Sequence, residues 1–326
     1  MIAQSTLFVT KVNILRHPQP QIYEQPDAKA YSALFSITFL WGTAFFFTAI
    51  ALREFTPAQV VTARMLLGSL VLVPAIIARR QYRRLNRTDW LWLTAMGMVG
   101  YGLPFISIAW AQQYLSSSLA AIFMSLIPLF VLVLSKLFLG DSISPRKWAG
   151  FLIGFVGLLL LVGPEGISGA GTDFLAEGAL LLACVLLAAN SIILRRMPVM
   201  PPLQTTATAL FIGGLIIAPF GMPGLMGQSA QLIVKHHGSI TGLLPLISLI
   251  FLGAILSGFG QTVRTQTIMR RGPVFFSISG YGIPVCATGL GVTFLGDEIT
   301  LQKIIAFCVI LLGLILAQSR SAQKKK

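Results

Sequence analysis

A charged side chain inside an apolar run is the residue of this sequence best suited to recognise a ligand. Arg64 lies about seven residues into the run at 57–78, roughly 10 Å along a helix that rises 1.5 Å per residue. A cation at that depth faces a bundle interior, a wet cavity or a paired group. A guanidinium there can bind a carboxylate through two parallel hydrogen bonds. The alternative is structural: a bond to helix-end carbonyls, or a side chain that reaches out to the surface.

Aromatic and amide side chains near the middle of other apolar runs could form the walls of a binding cavity. Ligand pockets combine apolar and aromatic walls with a few orienting polar groups. The predicted solute contacts besides Arg64 are Trp41, Tyr101, Trp110, Asn190, Gln261 and Tyr281. Asn190 is the best of these, because an amide among apolar side chains requires a partner. Trp110 could instead anchor a helix at a membrane interface.

Two carboxylates recur in equivalent surroundings and raise the possibility of catalysis. Asp141 and Asp297 each follow a Phe-Leu-Gly sequence. They are predicted to lie at opposite membrane faces, so they cannot share a proton. A structural role fits better, since each follows a helix end and could cap free N–H groups or link a gate. The three histidines, His17, His236 and His237, all fall in loops, so no general base, catalytic residue, metal site or cofactor is predicted.

The composition sets the class of protein that must position these side chains. The 326 residues are 55% apolar and only 10% charged, against about 25% charged in an ordinary soluble protein. The net charge of +14 does not predict a nucleic-acid partner, because there is too little solvated surface to carry it. Three cysteines lie inside apolar runs and act as small hydrophobic residues. The sequence predicts an all-α membrane protein.

Apolar runs of roughly 20 residues, the length that crosses a bilayer as a helix, divide the chain. The predicted transmembrane helices are 31–51, 57–78, 90–111, 117–139, 146–163, 174–194, 204–220, 243–264, 273–295 and 299–319. Residues 1–30 are polar and are predicted to be a disordered cytoplasmic tail, not a cleaved signal peptide. Residues 320–326 form a second, basic cytoplasmic tail. Residues 221–242 are predicted to be a polar outer loop.

The basic residues sort strongly to one side of the predicted helices. Eighteen Lys and Arg residues fall on the side that carries both termini, three fall on the other side, and three fall within spans. The positive-inside rule then places both termini in the cytoplasm. Within the spans, Lys136 and Arg264 lie one to one and a half turns from cytoplasmic ends, where long cationic side chains reach out to water easily.

The two halves of the chain resemble each other. The segment 138–144 recurs at 294–300, an offset of 156, and Pro128 recurs as Pro284. The halves, 31–163 and 172–319, each hold five predicted helices. Because five is odd, the second half enters the membrane upside down, which gives two inverted five-helix repeats. Such repeats are the architecture of alternating-access carriers, and the matched prolines could be hinges.

These features together resemble the drug/metabolite transporter superfamily, in particular its ten-helix EamA-type members. Trp41-Gly42 resembles the Trp-Gly pair of the family's first helix, and 63–67 resembles its Arg-containing second helix. The segment 125–130, followed by Phe-Leu-Gly-Asp at 138–141, resembles the fourth-helix signature, with Asp where Glu is usual. The resemblance implies a secondary carrier, commonly an exporter of amino acids or other metabolites.

The sequence therefore predicts a carrier for a small organic solute, in the inner membrane and in contact with lipid, without nucleic acid or cofactor. The oligomeric state is left open. A buried carboxylate relay typical of proton coupling is not visible, since Glu177 lies only in the first turn of its span; exchange or facilitation is favoured. The alternatives are a channel or a non-transporting membrane scaffold and, less favoured, an intramembrane enzyme.

Overall fold

The computed structural model describes residues 25–167, 172–235, 239–271, 273–276 and 279–318, and within these ranges every regular element is a helix. The predicted basic tail, His17, His236, His237 and most of the N-terminal tail lie outside the described residues. The helices are α1 (Ala28–Ala51), α2 (Pro57–Ala78), α3 (Arg87–Ala95), α4 (Leu103–Ala111), α5 (Ser117–Met124), α6 (Ile127–Leu139), α7 (Pro145–Ile167), α8 (Thr172–Arg196), α9 (Pro202–Gly221), α10 (Leu225–Lys235), α11 (Ile240–Phe251), α12 (Gln261–Arg271), α13 (Pro273–Phe276), α14 (Ser279–Leu290) and α15 (Leu301–Gln318).

Helices that could cross a membrane account for most of the described chain. In those ranges eight helices are long and apolar enough to do so, and two shorter apolar helices, Ser279–Leu295 and Leu301–Ala317, follow them. Each of the ten predicted runs coincides with one of these helices. The chain is a multi-pass membrane protein.

Three stretches of wider π-helix interrupt the α-helices. They are π1 (Met96–Gly102) between α3 and α4, π2 (Leu252–Gly260) between α11 and α12, and π3 (Gly291–Leu295) after α14. The first two begin at positions that the 156-residue offset relates. In both, glycines bring the backbone against a neighbouring helix: π1 packs on α9, and π2 packs on α2. π-Helical turns are common at functional sites.

Two predicted boundaries were wrong. The outer loop at 221–242 contains a helix, α10, because Leu225 and Leu232, two turns apart, pack into the cluster around Phe55. The Gln228 side chain also donates to the carbonyl oxygen of Glu54. The eighth membrane helix, predicted to end at 264, continues through α12 to Arg271.

The fourth membrane helix is interrupted just before a proline. Helix α5 ends at Met124, and α6 begins at Ile127 with Pro128 in its first turn. Proline has no N–H to donate, so it fits a first turn and disrupts a helix interior. Its repeat partner, Pro284, lies inside α14 without such a break.

Contacts between helices show their relative directions. In α7 and α15, Gly150 approaches Ala317 and Gly154 approaches Gly313, so the two helices run antiparallel with their backbones in contact. Helices α2 and α9 also run antiparallel, because the glutamine near the start of each reaches the loop that follows the other. The Gln59 amide donates to the carbonyl oxygen of Pro223 at 3.3 Å, and Gln204 both accepts from and donates to the Arg83 backbone at 2.9 and 2.8 Å.

Candidate functional site

A cavity of about 290 Å³ lies inside the bundle, near the lower end of the volumes of small-ligand pockets. Its walls come from α1, α2, α4, α5, α6, α7, α8, α12, α13, α14 and α15, and therefore from both halves of the chain. The lining is mainly apolar and aromatic. The cavity extends from Arg64 to the ion pair of Asp141 and Arg195, where Asp141 is 45% exposed, so it is open at that end of the bundle.

Arg64 reaches this cavity from the second turn of α2. That turn is held by a capping box, in which Thr56 and Gln59 bond each other's backbone N–H groups. The Arg64 Nε donates to the Ser257 hydroxyl at 2.7 Å, and its guanidinium carbon lies 4.1 Å from the centre of the Phe105 ring. Both terminal nitrogens are without a hydrogen-bond partner among the described residues. The guanidinium is thus held at one edge, with its terminal donors free for a ligand.

Arg264 also lines the cavity, which corrects the expectation that it reaches out to the membrane surface. It is 5% exposed, and within the described chain its guanidinium makes no hydrogen bond. The Phe276 ring lies 5.8 Å from its guanidinium carbon, and the Tyr101 hydroxyl faces it without reaching hydrogen-bonding geometry. The expectation failed because α12 continues two turns beyond 264, so this residue lies deeper than the predicted boundary implied.

Three further polar side chains line the same cavity, and each has one polar atom with no hydrogen-bond partner in the described part of the chain. Trp41 presents a donor, its indole Nε1, while Gln112 and Gln261 each present an amide oxygen that accepts. The other end of the Gln112 amide is fixed by a bond to the Phe45 carbonyl oxygen at 3.1 Å. Buried polar groups are normally paired, so these atoms are available to orient a bound solute.

The cavity gathers some of the residues predicted from sequence and leaves others apart. Those that line it are Trp41, Arg64, Pro128, Asp141, Gln261 and Pro284. Tyr101, Trp110, Asn190, Tyr281 and Asp297 are not part of its lining. Tyr281 and Trp110 pack at the edge of the largest apolar cluster, and Asn190 is fully buried against Gly100.

Sequence reasoning missed Arg264, Gln112, Phe105 and Ser257. No local sequence motif marks the Gln112 amide oxygen or the second arginine. Ser257 and Phe105 matter only because of their contact with Arg64, and they lie far from it in sequence. The spacing of seven residues between Ser257 and Arg264, about two helical turns, is the one sequence pattern that could have linked these two side chains.

The two Phe-Leu-Gly-Asp corners have the same backbone and different partners. In each corner a left-handed glycine ends the helix, Gly140 at φ 72° and Gly296 at φ 74°. Asp297 accepts from the Ser118 N–H at 2.8 Å and from the Ser117 and Ser118 hydroxyls at 2.9 and 2.6 Å, so it caps the start of α5. Asp141 follows the end of α6 and pairs with Arg195 at 2.9 Å.

These contacts place the two aspartates at opposite ends of one membrane helix, because α5 and α6 together form the fourth. The 23 residues of Ser117–Leu139 correspond to roughly 34 Å at 1.5 Å per residue. The carboxylates cannot act as a pair. We call the two ends of the bundle the Asp141 end and the Asp297 end.

Known proteins similar to this chain are transporters. The model of the EamA-like transporter family matches residues 28–163 and again 174–318. An "Uncharacterized transporter" of Archaeoglobus fulgidus is 24% identical over 86% of this chain and 94% of its own length. Protein PecM of Dickeya dadantii is 27% identical over 88% and 92%. The uncharacterized inner membrane transporter YedA of Escherichia coli K12 is 25% identical over 88% and 89%.

A solved structure shares the fold. That crystal structure superposes with a TM-score of 0.62 at 20% identity, over 90% of this chain and 99% of the other. At this identity the likeness concerns the fold alone. The family match covers both halves of the chain and agrees with the apolar helices and the cavity between the two halves. This protein belongs to the EamA-like transporter family.

Proposed function

We propose that this protein is a secondary carrier that moves a small organic anion across the inner membrane by alternating access, with Arg64 as the residue that binds the anionic group. The observation that carries the proposal is the Arg64 guanidinium, which is held at one edge by Ser257 and presents its free donors to the cavity. A charge at this depth is costly unless it is paired. A carboxylate or phosphate on the solute supplies the partner.

The proposed architecture is ten transmembrane helices in two inverted repeats, 31–163 and 172–319. Swapped contacts support it: π1 of the first half packs on α9 of the second, and π2 of the second packs on α2 of the first. The Gln59 and Gln204 contacts, at positions that an offset of 145 relates, are exchanged in the same way. Helices α2 and α9, which correspond to each other in the two halves, run antiparallel, as inversion requires.

The proposed orientation puts the Asp141 end and both termini in the cytoplasm. It rests on the excess of Lys and Arg on that side of the chain. A cavity open at the Asp141 end would then load from inside the cell, which fits export. The other end is closed where Asp297 caps α5, and no residue of that corner lines the cavity. A closed end favours a carrier over a continuous channel.

The two aspartate corners are the proposed gates, with Pro128 and Pro284 as hinges beside the cavity. The hydrogen bonds of Asp297 to Ser117 and Ser118 support a closed gate at that corner. The repeat offset of 156 relates Ser117 to Pro273, so in the alternate state Asp141 would cap the start of the ninth membrane helix. Opening one corner while closing the other would move the cavity from one side of the membrane to the other. The remaining proposed contacts, Tyr101, Trp110, Asn190 and Tyr281, would approach the solute only through such a rearrangement.

Counterflow in liposomes tests the carrier and its binding residue together. Vesicles with purified protein are loaded with candidate organic acids, and uptake of the same labelled acid is followed. We expect trapped unlabelled acid to accelerate uptake of the labelled acid, because a carrier exchanges and a channel does not. Arg64→Gln should lower the apparent affinity for acids by about tenfold or more, the equivalent of about 1.4 kcal/mol.

Ser257→Ala is the matched control for Arg64→Gln. It removes the hydroxyl that holds Nε and leaves the charge, so we expect a smaller loss of affinity, by a few-fold. Equal kinetics of the wild type and Arg64→Gln for every acid that is transported would remove Arg64 from the site. Uptake that trapped solute never accelerates would contradict the carrier.

A further inference from the structure

Arg264 is a second cation of the cavity for which the protein supplies no counter-charge. Its guanidinium is 5% exposed and makes no hydrogen bond among the described residues. The one described carboxylate that lines the cavity, Asp141, is engaged by Arg195 at the open end. Two guanidiniums therefore line the interior of the cavity, the partly buried one of Arg64 and the buried one of Arg264, and no described carboxylate lies beside either.

The two guanidiniums lie at different levels along the cavity. Arg64 bonds Ser257, and Arg264 follows Ser257 by seven residues along the eighth membrane helix, a rise of at most roughly 10 Å along the helix axis. The third membrane helix shows the same order, since Phe105, which lines the cavity, contacts Arg64, and Tyr101, one turn away and behind the lining, faces Arg264. Arg264 is nearer the open Asp141 end, and Arg64 is deeper.

Closing the cavity around an uncharged solute would leave both cations unpaired in a dry interior. The aromatic faces of Phe105 and Phe276 stabilise a guanidinium by less than the burial of an unpaired ion costs. A solute with one negative group neutralises one of the two arginines and leaves the other unpaired. A solute with two negative groups, one at each level, neutralises both.

We propose that Arg264 is a second specificity-determining residue and that the solute carries two anionic groups, one bound at Arg64 and the other at Arg264. The inference rests on the proposed carrier function and narrows its substrate class to dianions with separated charges, such as dicarboxylates. Lys147 lines the open end of the same cavity and adds a positive charge along the path by which a dianion would enter.

The number of negative groups that the site requires is tested by comparing the binding of diacids with that of their monoamides. The probes are the straight-chain dicarboxylates from succinate to sebacate and the monoamide of each, which keeps size and polarity and removes one charge. Apparent affinities are measured from the concentration dependence of the thermal unfolding midpoint of the purified full-length protein. We expect the best diacid to bind the wild type about tenfold or more tightly than its monoamide.

Arg264→Gln should abolish that preference selectively. Its diacid affinity should fall to the level of the monoamide, while monoamide affinity stays within about threefold of the wild type. Arg64→Gln should weaken both ligands, and Arg264→Lys should restore part of the diacid preference because it keeps the charge. The unfolding midpoint without ligand shows whether each variant folds.

Two results would overturn the inference: no diacid of the series stabilises the wild type, or Arg264→Gln weakens diacid and monoamide equally. Neither result touches the carrier itself, which counterflow of a monoacid tests separately. Diacid preference without counterflow would leave the two-anion site in place and contradict the transport function instead.

Discussion

Asn190 is a fully buried polar side chain of α8 that packs closely against π1. It is fully buried, and neither atom of its amide makes a hydrogen bond among the described residues. Gly100 in π1 provides its space: a Cβ placed there would lie 2.5 to 2.6 Å from three atoms of the amide. The glycine is therefore required by the close approach of two helices.

Gly100→Ala is expected to destabilise the protein by about 1–3 kcal/mol, the usual cost of adding volume to a packed interior. Gly178→Ala is the control, because a Cβ at Gly178 in α8 meets no atom within 4 Å. That change should be neutral or stabilise the helix by up to about 1 kcal/mol. Thermal unfolding in detergent measures both, and equal effects would contradict the packing described here.

Whether a single residue lines the cavity could be predicted from the sequence where its depth within an apolar run was clear. Arg64 could be predicted as a cavity cation because it lies well inside an apolar run. Arg264 could not, since the polar residues after it hid the continuation of α12 to Arg271. Asn190 was predicted to need a partner, and the structure gives it a close-packed site beside Gly100 with no partner among the described residues.

At the scale of elements, the two aspartate corners differ in how strongly each binds a neighbouring helix. Asp297 accepts three hydrogen bonds at the start of α5, and bonds to a charged group contribute about 1.5–3 kcal/mol each. Asp141 instead makes an exposed ion pair with Arg195, which is worth about 0–1 kcal/mol. The Asp297 corner is therefore the more strongly bonded of the two.

Exchanging the two aspartates for asparagine, one at a time, should move the conformational equilibrium in opposite directions. Asp297→Asn weakens the closed Asp297 end, so we expect the population open at that end to rise about tenfold, as a loss of about 1.4 kcal/mol implies. Asp141→Asn should lower it. Spin labels at Tyr114 and Glu298, both exposed and beside the Asp297 corner, report the distance across that end.

Asp173→Asn is the control for the two corner variants. Asp173 is an exposed carboxylate at the start of α8, at the Asp297 end but outside the corner, and its change should leave the distance distribution as in the wild type. A shift in the same direction for Asp297→Asn and Asp141→Asn would show that the corners are not opposing gates.

The positions of the elements were largely predictable, and their irregularities were not. Apolar run length predicted most helix ends to within a few residues, with the seven-residue continuation of α12 to Arg271 as the main exception. The π-helical stretches, such as Met96–Gly102, arise from contacts with helices distant in sequence, which no local pattern reports. Helix α10 was missed because its apolar residues are spaced to pack against the cluster around Phe55 and are too few to make an apolar run.

At the scale of the whole molecule, related positions in the two halves make the same contacts with partners exchanged. The repeat itself was visible in the sequence, through the offset of 156. The way in which the two halves pack against each other could not be predicted from the sequence, because it depends on which helices are in contact, such as α7 with α15 and α2 with α9. Two halves related in this way would make inward-open and outward-open states similar in energy, so that little driving force is needed to interchange them.

A thiol inside the cavity tests alternating access most directly. Ala44 lines the cavity and is partly exposed, so Ala44→Cys, in a chain whose three native cysteines are replaced, provides the reporter. A membrane-impermeant thiol reagent is added to one side of oriented vesicles at a time. The account predicts labelling from either side, from the Asp141 end more rapidly, with Asp297→Asn raising the rate from the other end. Labelling confined to a single side, in the wild type and in Asp297→Asn alike, would contradict it.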